Sequence, residues 1–93
     1  MKTVYKYKID NIEHCQNVEI YENFKILKLS VIDGICYFWA LVDTENEKMN
    51  LEIYSLFTGQ QIPYSDLNYI DSYRINHLIL HVFWRWTSES FIK

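Results

Sequence analysis

Two glycines, one proline and two cysteines in 93 residues leave little material for several kinds of chemistry. So few glycines supply neither a P-loop nor a G-x-G-x-x-G turn, both of which need glycine where backbone closely approaches phosphate. Cys15 and Cys36 have no C-x-x-C spacing and no adjacent histidine pair, which argues against zinc and for two reduced thiols. No cofactor and no metal ion is expected. Basic residues are in deficit, nine Lys and Arg against twelve Asp and Glu for a net charge of −3. Phosphate contacts require gathered positive charge, so DNA is not the expected partner. Long apolar runs are missing too. The longest, residues 78–86, contains His81 and Arg85 and falls well short of the ~18 residues of a membrane-spanning helix. The first eight residues alternate polar and apolar with no apolar h-region of a signal peptide, so the expected location is the cytoplasm.

What the chain does have is apolar and aromatic bulk. Hydrophobic residues make up 49% and charged residues 23%, enough for one core, and the expectation is one ordered domain over residues 1–93. Eight Tyr, five Phe and three Trp, with many Ile and Val, favour strands over helices. Asp33-Gly34 is a type I′ hairpin dipeptide between apolar runs at 24–32 and 35–42. A two-residue turn there sets Ile32 opposite Ile35, Val31 opposite Cys36, Leu29 opposite Phe38 and Leu27 opposite Ala40. Because strand side chains alternate, Leu27, Leu29, Val31, Cys36, Phe38, Ala40 and Val42 form one purely apolar face, the expected core. The opposite face mixes Ile26, Lys28, Ser30, Ile32, Ile35, Tyr37, Trp39 and Leu41, too apolar for solvent alone, and reads as a surface that meets something.

Further strands are expected at 3–9, 17–21, 49–57, 67–74 and 75–86, with loops at 10–16, 43–48 and 60–66 and a tail at 87–93 that frays or forms a helical turn. The fold class is therefore all-β or β-rich α+β: a small antiparallel meander forming a curved sheet, a sandwich or a partly open barrel.

Catalytic signatures are weak. The three histidines, His14, His77 and His81, are accompanied by no nucleophile on a sharp glycine-flanked turn, and Cys36 points into the expected core. His77 and His81, four apart on a strand, stand ~13 Å from each other and cannot share an ion. The chain is not expected to be an enzyme. Candidate ligand-binding residues are Trp39, Tyr69 and Trp84 for stacking, with Tyr73 a weaker candidate of the same kind. Thr58 and Gly59 offer a turn with backbone N–H groups, His81 offers a polar edge, and the only arginines, Arg74 and Arg85, suit phosphate or carboxylate. The excess of Trp and Tyr fits a seam between subunits of a homo-oligomer and a ligand wall equally.

Five stretches in order resemble a family of small proteins common in tailed-phage genomes: Phe24-Lys25-Ile26-Leu27, Trp39-Ala40-Leu41-Val42-Asp43, Thr58-Gly59-Gln60-Gln61-Ile62-Pro63, Tyr69-Ile70 and His81-Val82-Phe83. The chain departs from that pattern at Phe57, Asp71-Ser72 and Trp84-Arg85-Trp86. The resemblance implies a phage accessory protein with a β-rich fold, acting in the host cytoplasm. The leading expectation is a non-catalytic, homo-oligomeric counter-defence protein that sequesters a small nucleotide-derived immune signal. The alternative is a protein inhibitor of a host defence component, using the mixed face and the acidic loop 43–47, and the third is a small phosphodiesterase-like enzyme.

Overall fold

Alternating burial along nearly every segment produces strands, and a computed structural model describes them through residues 1–10 and 15–87. In chain order these are β1 (Lys2–Ile9), β2 (Cys15–Tyr21), β3 (Lys25–Ile32), β4 (Ile35–Asp43), β5 (Lys48–Phe57), β6 (Asn68–Ile75) and β7 (Leu78–Trp86). There is no helix among the described residues, so the fold is all-β. His14, with the rest of 11–14, and the tail beyond Thr87 lie outside the described residues.

The strands form two antiparallel sheets, ordered β1-β4-β3 and β2-β5-β7-β6. The antiparallel all-β class is as expected, while the connectivity does not run from each strand to the next throughout. Only β3/β4 and β6/β7 are both consecutive in sequence and paired. The chain changes layer after β1, after β2 and after β4, because each sheet has one apolar face and the two are buried by stacking on each other. Ile9 and Phe38 of one sheet, and Ile20, Leu51, Ile53 and Val82 of the other, meet in one core. The Tyr7 ring stacks on Phe38 at 5.0 Å. Two of the layer changes are tied together: Glu22 N donates to Glu47 O at 2.8 Å, and Asn46 Nδ2 donates to Glu22 O at 2.9 Å.

Asp33 and Gly34 have φ of 53° and 79°, the two left-handed positions of a type I′ turn, and Ile32 pairs with Ile35 as expected. The register then departs at a β-bulge. Ile26, in place of Leu27, lies opposite Ala40, and Leu27 is 48% exposed, which corrects its assignment to the core. The extra residue turns both Ile26 and Phe24 onto the core side, so two apolar side chains are covered at the expense of one. Phe24 then meets Trp84 and Trp86 edge-on, with ring centroids 4.9 and 5.6 Å away.

The single strand expected over 75–86 also divides differently. Ile75 ends β6, Asn76 and His77 make the turn, and Ile75 pairs with Leu78. Asn76 holds φ 55°, a left-handed conformation that asparagine tolerates better than most residues.

Candidate functional site

Side-chain alternation along β7 sends Leu80, Val82, Trp84 and Trp86 towards the core and His81, Phe83 and Arg85 to the outer face of the four-stranded sheet. On that outer face Leu56 of β5 and Ser72 of β6 flank His81, while Tyr54 and Tyr69 flank Phe83. A bulge between Tyr69 and Asp71 adds one residue to β6. It has a direct consequence for the site. Tyr69 and Ser72, three apart, would face opposite ways on a regular strand, yet here both face outward and their hydroxyls lie 2.8 Å apart.

A continuous hydrogen-bonded row results. Thr58 Oγ1 lies 2.8 Å from His81 Nε2, Ser72 Oγ lies 2.8 Å from His81 Nδ1, and Ser72 Oγ reaches Tyr69 OH. Whichever ring nitrogen of a neutral His81 carries the proton, it donates to one hydroxyl and the other nitrogen accepts from the second. The imidazole is thus held at both ends by hydroxyls, with no carboxylate bonded to it among the described residues.

Over His81 and Phe83 opens a cleft of about 210 Å³, walled by the turn at 57–60 and by Ile62. That turn is closed by Gln60 N donating to Phe57 O at 3.0 Å, with Gly59 at φ 89°. No neighbouring atom crowds Gly59, so its backbone conformation rather than lack of space calls for glycine. The rim is apolar: Phe57 is 37% and Ile62 54% exposed.

The loop carrying Ile62 is pinned by Arg85. Its Nη1 donates to Glu52 Oε1 at 3.1 Å, its Nε lies 3.2 Å from Asp66 Oδ1, and its guanidinium sits 4.1 Å from the Tyr64 ring centre. Tyr54 OH donates to the same Glu52 oxygen at 2.8 Å. Burial, reinforced by that bond to Glu52, raises the Tyr54 phenol well above its ordinary range.

Among the sequence candidates, Thr58, Gly59, His81 and Tyr69 are therefore brought to one place. Arg74, exposed on the outer face across from Ile79, stands two residue pairs further along the ladder from Ser72 and His81. Three others are directed elsewhere. Trp84 faces the core side beside Phe24, Arg85 secures the loop, and Trp39 lies on the outer face of the opposite sheet. Tyr73 is buried in the core. Ser72 and Phe83 were missed. The outward position of Phe83 followed from strand alternation, whereas Ser72 joins the row only through a bulge that nothing in local composition announces.

The strands that build this cleft lie within a family match covering residues 1–91. The chain belongs to the DUF7352 family, a domain of unknown function. No curated protein and no solved structure matches it. Both outer faces of this DUF7352 domain thus fall within the family's extent, the cleft on one and Trp39 on the other.

Proposed function

We propose that this DUF7352 protein is a non-catalytic binder that sequesters a small, planar, anionic molecule of the nucleotide class in the cleft over His81 and Phe83. The observation that carries this reading is the Thr58, His81, Ser72, Tyr69 row. An imidazole fastened by two hydroxyls presents fixed polar partners to a ligand edge and lacks the oriented carboxylate that prepares a histidine for base catalysis. Phe83, Phe57 and Ile62 offer apolar contact to a flat ring. Arg74 stands along the same face with its guanidinium suited to a phosphate.

The cleft is smaller than the ~300 Å³ at which pockets for drug-sized ligands begin, so one ring or one mononucleotide is what a single chain covers. A dinucleotide needs a second copy of the chain to close over it, which is where the homo-oligomer enters the proposal. In a phage setting, holding such a molecule would withhold an immune signal from its receptor.

Native mass spectrometry and calorimetry with adenosine monophosphate, guanosine monophosphate and a cyclic dinucleotide test the reading. Expected are a stoichiometric adduct, ligand released intact on denaturation, and loss of binding in His81→Ala and Arg74→Ala. A converted nucleotide would make the protein an enzyme. Binding unchanged in both variants would move the site elsewhere.

A further inference from the structure

The outer face of the three-stranded sheet has a charge opposite to that of the molecule. The chain carries net −3, yet five of its nine basic residues share this face. Lys2, Lys6 and Lys8 project from β1, which borders β4 on one side, and Lys25 and Lys28 from β3 on the other. Asp43, paired with Lys2 at one end, is the carboxylate of this face among the described residues of the three strands. Between the two rows of lysines the central strand presents Tyr37 and Trp39, adjacent on one face with ring centroids 6.2 Å apart. A lysine ammonium stands near each ring, Lys6 Nζ 4.7 Å from the Tyr37 centroid and Lys28 Nζ 5.9 Å from that of Trp39. The bulge at Leu27 contributes here as well, since it leaves Lys25 opposite Leu41 and Lys28 opposite Trp39, both on the outer side.

We infer that this face binds single-stranded nucleic acid, with Tyr37 and Trp39 stacking on successive bases and the flanking lysines on phosphates. Flat, half-buried aromatics on the outer face of the middle strand of a sheet, with positive charge on both sides, are the combination that reads unpaired bases without sequence preference. The rows of lysines stand two strand spacings apart, roughly 10 Å, and Lys2 to Lys8 span roughly 20 Å, a length suited to three or four nucleotides. A duplex hides the base faces these rings need. Net charge concealed this surface because the acidic residues lie mostly on loops and on the other sheet. The site is separate from the cleft over His81, so the two proposals stand or fall independently.

The test uses fluorescence anisotropy with labelled 12-nucleotide oligo(dT) and oligo(U), a 12-base-pair duplex, and dextran sulfate as a polyanion without bases. Expected is binding of both single strands in preference to the duplex and to dextran sulfate. Affinity should fall about 20- to 50-fold between 50 and 200 mM salt if three to four phosphates are contacted. Trp39→Ala should lose about ten-fold or more, with Trp39→Phe retaining most of the affinity. Lys6→Gln with Lys28→Gln, both on exposed side chains, should weaken binding and flatten the salt dependence. His81→Ala should leave oligonucleotide binding unchanged. Equal affinity for dextran sulfate, tighter binding of the duplex, or no binding at 50 mM salt overturns the inference, and the first of these makes the face a docking site for an acidic protein.

Discussion

His81 Nδ1 and Ser72 Oγ stand 2.8 Å apart across the β6/β7 hairpin, and through this contact the imidazole is held on the ridge of the sheet with its second nitrogen turned to Thr58. Ser72→Ala removes one end of that grip and leaves the backbone ladder intact. It also removes the partner of Tyr69 OH, so it should cost about 1 to 2 kcal/mol of stability, the net value of two such hydrogen bonds. The ring should then lose its partner at Nδ1, and two-dimensional nitrogen NMR of the His81 side chain should show its signals moving while those of exposed His77 stay in place.

Leu27 and Ile26 exchange their expected roles at the bulge of β3. Leu27→Lys should therefore change stability by no more than about 0.5 kcal/mol, as for an ordinary surface position. Phe38→Ala, at a residue with 0% exposure on the facing strand, should cost about 3 to 5 kcal/mol. Urea denaturation of the two variants distinguishes this register from one in which Leu27 enters the core.

The two thiols should react at very different rates. Cys15 is exposed and Cys36 is buried. Burial, with a further contribution from Asp71, pushes the Cys36 thiol up to about 12 from an ordinary 9.0, and burial pushes the Tyr73 phenol up to about 12. Above pH 9 the unfolded chain releases the Cys36 proton while the folded chain keeps it, so stability falls as pH rises towards 12. Ellman's reagent at pH 8 should titrate one thiol quickly and the second only on denaturation. Denaturation curves at pH 8, 9 and 10 should show a decline that is smaller in Cys36→Ala.

Arg85 grips Glu52, Asp66 and Tyr64 together, a geometry that relies on the flat guanidinium fork. Arg85→Lys should keep the charge and lose the grip. Limited proteolysis should then cut the segment 58–67 several times faster than in the unchanged protein, and affinity for any occupant of the cleft should fall because Ile62 forms one wall.

The all-β class, the Asp33-Gly34 turn and most of the strand positions were legible because they rest on short-range causes: alternation of period two and a dipeptide that accepts φ above zero. The layer order was not. Nothing near β1 states that its partner is β4, since that pairing is decided by which apolar faces can cover one another. The two bulges account for the remaining discrepancies. One takes Leu27 out of the core, and the other brings Ser72 beside Tyr69, each through a single extra residue whose local composition is unremarkable. Trp84 and Trp86 flank Arg85, and alternation places both on the core side and Phe83 with His81 and Arg85 on the outer face, as the packing shows.

The alternation of the chain between layers also governs when the molecule can assemble. β1 pairs with β4 and β2 with β5, so the first 21 residues find no strand partner until segments some thirty positions downstream are in place. The β3/β4 and β6/β7 hairpins are the units able to form locally. Folding should accordingly be slow for a chain of this length, in the millisecond-to-second range of non-local β topologies. During that interval the alternating, lysine-bearing β1 stays open to solvent, and its charges protect the nascent chain from pairing with a neighbour before its own fourth strand arrives.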